Sequence, residues 1–486
     1  MQNGGWMFFK FGSPHTLASG NSYSIVANLS ATTPAVSLQC ANSTGATIAF
    51  LLRSTTTQAP QAGDDLYIMG EYDGSANPAT ALARLVTMDN TANTDFGSNV
   101  NESGQREAIG ISKNGILRWG GPNAGDPPAA STNYYLKLSG SFTVFSGGQV
   151  DIGTLANPIP QTSTAIIDFD TATSKAYGLN VRPTSIFNAQ GATGRANGYS
   201  IWVANLSANL AVSQTAIYVD QDTGWQGNDE VVIAATSRTY SESDFRSLTA
   251  NANTIGFTVN TALTYAHVGT LPFWCEVLNT TRGIKFRAVN TSVSSYGSIY
   301  HDCNTDIDWA QFDQLPITLY YDTVAVNTQF HYCSFRTPGT GVTMMTISSS
   351  TADAFQVQYC GFYGYNLSST QGIALSAITN KTNWRISDCV AVGTQGIGFS
   401  LADEDGIIDN LYAAGCGGSG SSGIYIADTT AWANQQGNTA NLYAHSCGQG
   451  VTFAGSPRFG GNHNIWAYRN TAGGLVWGTS QGYQPF

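Results

Sequence analysis

The sequence predicts an all-β protein, an N-terminal β-sandwich followed by a right-handed single-stranded parallel β-helix. The first observation behind this is a cysteine rhythm. Cys303, Cys333, Cys360, Cys389, Cys416 and Cys447 are separated by 30, 27, 29, 27 and 31 residues, and a period of about 20–50 residues marks a stacked repeat. The second is what fills each period: short apolar strands and Gly, Asn and Ser turns, with no helical pattern. One rung of three strands and three turns needs about this much chain. The third is composition, with 53 Gly, 23 Tyr and abundant Thr, Ser and Asn, the usage of a turn-rich β protein.

The chain divides into three parts. Residues 1–100 read as a jelly-roll-like β-sandwich, with Trp6–Phe11 as an apolar opening strand and 48–52 and 66–69 as further buried runs. The Asn-, Thr- and Ser-rich stretch 88–104 reads as a linker. Residues 105–290 form a β-coil. The phrase LKLSGSFTVFSGGQVDIGT, 136–154, is three short strands separated by glycines. Residues 291–486 are the ladder proper.

Aligning the rungs on the cysteines predicts which side chains face inward. Five residues before each cysteine stand Ser298, Thr328, Phe355, Trp384, Leu411 and Leu442; three before stand Tyr300, Phe330, Val357, Ile386, Ala413 and Ala444. Both sets are mostly apolar and are assigned to the interior. A seventh rung places Asn470 in the cysteine's position, where a side-chain amide can hydrogen-bond along the axis. Strand alternation then turns the intervening residues outward. These pairs are Ile299/His301, Gln329/His331, Gln356/Gln358, Arg385/Ser387, Tyr412/Ala414, Tyr443/His445 and Trp466/Tyr468.

Charge and motifs narrow the function. With 20 Lys+Arg against 31 Asp+Glu the net charge is -11, which excludes nucleic acid and anionic membrane as expected partners because both need basic patches. No membrane span or signal peptide is read in the sequence; the chain is then either part of a longer protein or released by lysis. The cysteines are read as free thiols filling the core. No P-loop, dinucleotide fingerprint, CxxC pair, HExxH or GxSxG occurs, so no cofactor is expected, a structural calcium ion aside.

Four constellations remain. The outward aromatics Tyr412, Tyr443, Trp466 and Tyr468, flanked by His445, offer flat faces that can stack on sugar rings; a covering loop or neighbouring subunit would also explain them. Asp403, Glu404, Asp405 and Asp409 can supply paired carboxylates for glycoside hydrolysis, oxygen ligands for calcium, or a solvated turn. A second acidic set, Asp302, Asp306, Asp308 and Asp313, lies beside His301, with His331 one rung on. It can form a metal or acid/base site, or a polar loop. Asp220, Asp222, Asp229 and Glu230 around Trp225, and His267, are assigned structural roles.

The phrases GWQGNDEVVIAATSRTY (224–240), LTYAHVGT (263–270) and EVLNTTRGIKF (276–286), after SGGQVDIGT and NPIP, together resemble the eight-glycine domain. That domain occurs in fibrocystin-like receptors and hyaluronan-binding cell-migration-inducing proteins. The resemblance covers about 180 residues and implies a β-coil leading directly into a right-handed parallel β-helix. Asn228 separates Gly227 from Asp229 where the family has Gly-Asp, and Thr281-Arg282-Gly283 replaces Thr-Arg-Asn. The ladder also looks like the β-helix tail proteins of bacteriophages. That similarity implies a virion or extracellular protein, a homo-oligomer (a trimer if a tail spike), bound to surface glycan. Three functions are carried forward: a non-enzymatic glycan-binding fibre or spike, a polysaccharide hydrolase or lyase on the same scaffold, and a purely architectural subunit.

Overall fold

The computed structural model describes strands 65–68 and 86–88 and most of 107–477, apart from loops of which the longest are 120–126, 170–177, 194–200, 289–295, 321–327, 427–439 and 455–462. The described residues are all β, and no helix among them is long and apolar enough to cross a membrane. The strands stack in parallel, rung on rung, on three faces of a rod. Sheet I runs through Ile116–Trp119, Gln149–Ile152, Ile186–Gln190, Asn304–Asp308, Thr328–His331 and Phe355–Gln358, then the first half of Arg385–Thr394. Sheet II runs through Asn133–Leu138, Thr164–Phe169, Ile284–Ala288, Ala310–Asp313, Ser334–Arg336 and Gly361–Leu367, then the second half of Arg385–Thr394. Ile407–Ala414 likewise extends sheet I with its first three residues and sheet II with its last four, and the stack goes on through Ala440–His445 and His463–Tyr468. Sheet III is an unbroken parallel run from Glu107–Ile111 to Gly473–Trp477. This is a parallel β-helix.

The rod begins far upstream of residue 291. Asp65–Ile68 and Val86–Met88, inside the segment expected to be a sandwich, pair in parallel with Ile116–Trp119 and Leu136–Leu138. The rest of 1–106 lies outside the described residues. The segment 105–290 is likewise rungs, interrupted by an excursion from about 201 to 279. That insert is antiparallel: Val203–Asn205, Glu276–Asn279, Glu230–Ile233 and Asp244–Ser247 form one sheet, and Ala216–Tyr218 with Gly256–Thr258 a second ribbon. Its core, built on Trp202, Trp225, Val231, Ile233, Phe257 and Val277, rests on the outer face of sheet II at Tyr363, Val390, Val392 and Ala414. A Cβ on Gly361 would meet the Leu278 and Trp202 side chains at 3.1 and 3.4 Å, so the absence of a side chain there lets the insert pack closely on sheet II.

The interior follows the sequence reading from Thr328 onward. Phe355, Trp384, Leu411, Leu442, Phe330, Val357, Ile386 and Ala444 are buried. Phe286, Phe312, Phe335 and Phe362 stack along sheet II at 5.1, 4.8 and 4.9 Å, close to the spacing of paired strands. The cysteines need correction. Cys333, Cys360 and Cys389 follow left-handed residues, Tyr332, Tyr359 and Asp388, at the corner between sheets I and II. Cys416 and Cys447 follow Gly415 and Ser446 at the far end of sheet II. Register therefore aligns Cys389 with Leu411, not Cys416. Cys303 precedes Asn304–Asp308 and belongs to neither series, so Ile299, read as outward, is buried. Both corners put a small thiol after the bend, and each of the five donates to the carbonyl two residues back. Asn470 takes that position in the last rung: it accepts from Cys447 N at 2.9 Å and donates to Ala444 O at 3.2 Å. No disulfide is formed among the described cysteines.

Candidate functional site

The same slip re-places the outward columns. Tyr412 stands beside Val390, not Arg385, and the series on sheet II is Val390, Tyr412, Tyr443, Trp466. Its rings stack on one another: Tyr412 on Tyr443 at 4.5 Å and 3°, Tyr443 on Trp466 at 6.5 Å and 18°. The insert covers the lower end of the column. Tyr412 packs against the insert's core, and burial, with the neighbouring Tyr443, pushes its phenol well above the usual value. Trp466, at the upper end, is 53 % exposed.

The adjacent column ends differently. His445 is 2 % exposed. Its Nε2 lies 2.8 Å from Oε2 of Glu276 in the insert, and its Nδ1 3.2 Å from Ser446 Oγ. Burial pushes the Glu276 carboxyl up, and the charge and hydrogen bond of His445 more than offset it, holding the group below the usual carboxylate range. Tyr468 stacks on His445 at 5.0 Å, accepts from Trp274 N at 3.0 Å and donates to Trp274 O. His445 and Tyr468, expected to offer hydrogen bonds to a sugar, are instead the fastening of the insert to the last rungs. What stays open is Trp466 over Tyr443, with Trp274, 42 % exposed, on the insert loop that Tyr468 holds. Beside Trp466 runs a polar ladder at the sheet I–II corner. Asn464 Nδ2 donates to Asn441 Oδ1 at 2.8 Å, and Asn441 Nδ2 to Asp409 Oδ1 at 2.9 Å.

Of the acidic candidates, Asp409 is thus a ladder acceptor. Asp403 ends the strand Phe399–Asp403 on sheet III, a face away from Asp409, and its side chain is not described. Glu404, Asp405, His301 and Asp302 lie outside the described residues. Asp313 is on sheet II, paired with Arg336. The structure brings together Asp306, Asp308 and His331 on the outer face of sheet I. Their ligand-type atoms lie within 4.8 Å of one another. Two residues apart on one strand, the aspartates share a face, and register sets His331 beside Asp308. His331 Nδ1 lies 3.1 Å from Asp308 Oδ1, near enough for an ion pair but not aligned as a hydrogen bond. Asp308 Oδ1 and His331 Nε2 are both buried without a hydrogen-bond partner. Burial and the Asp308 charge push the Asp306 carboxyl up. Burial opposes charge on His331, but Asp308 outweighs it and holds the imidazole above its usual value.

The remaining sequence candidates are structural. His267 joins Ala234 O at 2.8 Å to Asp244 Oδ2 at 3.0 Å, and Asp229 accepts from Gln226 N and Asn279 Nδ2. Sequence reasoning missed Arg282 and Arg336. Arg282, fully buried and lowered to about 10 by burial, donates to the carbonyls of Tyr332, Asn279 and Thr281 where the chain re-enters the rod. Arg336 joins Asp313 of the rod to Glu230 of the insert.

No family model and no curated protein matches the chain. Among solved structures it is similar to three tailspikes. The gp61 tailspike of Pseudomonas phage phi297 has 8 % identity and a TM-score of 0.17 over 71 % of this chain and 66 % of that one. The gp49 tailspike of Pseudomonas phage LKA1 has 11 % identity and a TM-score of 0.18 over 73 % and 70 %. The Gp54 tailspike of Acinetobacter baumannii bacteriophage AP22, in complex with A. baumannii capsular saccharide, has 8 % identity and a TM-score of 0.16 over 75 % and 64 %. The chain thus spans roughly two thirds of the length of these tailspikes.

Proposed function

We propose that this chain is the rigid rod of a phage tail component and binds a surface polysaccharide at its C-terminal rungs. One observation carries the reading: a half-exposed indole, Trp466, stacked on Tyr443 beside the amide and carboxylate ladder Asn464–Asn441–Asp409. A flat apolar ring next to fixed hydrogen-bonding groups suits a sugar, which has an apolar face and a rim of hydroxyls. An exposed tryptophan on a rigid sheet is otherwise an apolar liability. The protein's negative charge favours a neutral or cationic glycan over a polyanionic one.

The test is a glycan array of bacterial capsular and O-antigen polysaccharides, followed by titration of the strongest binder into Trp466→Ala and Tyr443→Ala. Weaker binding with an unchanged assembly mass supports the groove. Dissociation into lighter species assigns the stripe to a subunit interface, and the groove is then wrong. Release of new reducing ends from the bound polymer would make the rod an enzyme.

A further inference from the structure

We propose that Asp306, Asp308 and His331 form a divalent-cation site of the zinc or manganese type that staples two successive rungs of sheet I. The ligands come from adjacent strands, Asn304–Asp308 and Thr328–His331, held in register Asp306↔Gln329 and Asp308↔His331. Their atoms lie within 4.8 Å of one another, whereas ligands at about 2.0–2.2 Å from one ion are separated by about 3.3–4.4 Å. Small side-chain rotations close that gap.

Three further features point to a cation. The register neighbours of the two aspartates are Asn188, Gln190, Gln329 and His331, so neither Lys nor Arg stands beside them. Asn188 turns its amide to Asp151, at 2.8 Å, and Gln190 donates to the backbone oxygen of Asp306. Finally, His331 Nε2 is buried without a hydrogen bond, and Asp308 Oδ1 has only the poorly aligned ion pair with His331 Nδ1 at 3.1 Å; such atoms are costly unless something else satisfies them. A cation between the carboxylates satisfies Asp308 Oδ1 and, with the imidazole turned so that Nε2 faces them, His331 Nε2 as well.

The donor set decides the class of ion. Imidazole suits zinc and its neighbours, carboxylate suits manganese and harder ions, and a mixed set selects the borderline divalent metals. Calcium takes about 6–8 oxygen ligands, and this site offers one nitrogen among three donors. Three protein ligands leave at least one coordination position for water or for a hydroxyl of a ligand lying on sheet I. The site is on a different face from Trp466, so it stands independently of the glycan reading.

The full chain, stripped with a chelator and dialysed, is titrated calorimetrically with zinc, manganese and calcium chlorides. The expected result is one equivalent of zinc or manganese and no comparable heat from calcium. Asp308→Asn and His331→Gln should each weaken binding at least as much as the about 10–100-fold loss that follows removal of an outer-sphere partner. Should a variant fold poorly, cobalt-loaded wild-type protein gives an independent reading. Visible ligand-field bands and paramagnetically shifted protons from a single imidazole are expected. The proposal is overturned if zinc and manganese fail to bind at millimolar concentration, or if folded variants bind as tightly as wild type. It is equally overturned if calcium binds as well as zinc, or if cobalt shifts no histidine.

Discussion

Replacing Arg336 with methionine tests whether the insert is anchored electrostatically to the rod. Its guanidinium is forked onto Asp313 at 2.6 and 2.8 Å and reaches Glu230 at 2.5 Å, and the side chain is 8 % exposed. Burial opposes its charge, but Asp313 and Glu230 more than compensate and raise the group above its ordinary value. Removing one member of a buried pair costs about 3–5 kcal/mol. Here the two acceptors are not equal. Glu230 is 30 % exposed, so water takes over much of its solvation. Asp313, 15 % exposed, keeps the Gln311 Nε2 donor at 2.7 Å. The cation also lies 5.5 Å from the Phe245 ring, worth about 0.5–1 kcal/mol. The expected cost is about 3 kcal/mol, the low end of the range for a broken buried pair. Urea unfolding measures it, and hydrogen exchange across 201–279 locates it, because stacked repeats need not unfold as one unit. Arg336→Met with Asp313→Leu should cost less than Arg336→Met alone, since no uncompensated carboxylate remains at 313. A single substitution costing under about 0.5 kcal/mol, the scale of an ordinary surface change, would refute the anchor. Unchanged hydrogen exchange across 201–279 in Arg336→Met would do the same.

Three further outcomes are expected. Trp384→Ala removes a side chain that is 1 % exposed and stacked on Phe355 at 5.6 Å, at a cost of about 3–5 kcal/mol. Arg385→Ala, which loses an outward contact to Ser387, should cost under about 1 kcal/mol; equal shifts in denaturant melts would invert the facing assignment. Glu276 has a folded-state value below its unfolded one, so it binds fewer protons when folded. Its contribution is present above the unfolded value of about 4.3 and declines as pH falls through the folded value. Acidification should therefore loosen the insert's attachment, read by Trp274 fluorescence, and Glu276→Gln should flatten that part of the profile. Burial pushes Cys275, Cys333, Cys360 and Cys447 far above the usual thiol value. These thiols should ignore a disulfide reagent until the protein unfolds; rapid native labelling of any of them would contradict the packing.

The sequence shows why some of this structure was readable. Inward and outward residues alternate along each strand, so Trp384 against Arg385 is fixed by spacing alone. His331 follows Asp308 by one rung, so the pair was visible as a candidate before any coordinates. The phase of the ladder was not. A small thiol fits after a left-handed residue at either corner of sheet II, so Cys389 and Cys416 look alike in sequence though they occupy different corners. The insert hid for a related reason: its strands have the same Thr, Val and Asn usage as the rungs. With the insert unseen, nothing near His445 indicated that Glu276, 169 residues away, would cover it. Arg282 and Arg336 give no local signal either, because their partners are backbone carbonyls and distant carboxylates.

The insert leaves the rod at one rung and returns within the same rung. Ile186–Gln190, before it, pairs with Gln149–Ile152 on one side and Asn304–Asp308 on the other. Ile284–Ala288, after it, pairs with Thr164–Phe169 and Ala310–Asp313. In mechanical terms, the insert is a splint. It joins the chain at the Ile284–Ala288 rung and is fastened again at Arg336, His445 and Tyr468 on later rungs, so it runs beside the ladders between these points. Axial strain that separates those rungs must also strain these fastenings, and the insert shares the load with the strand ladders it covers.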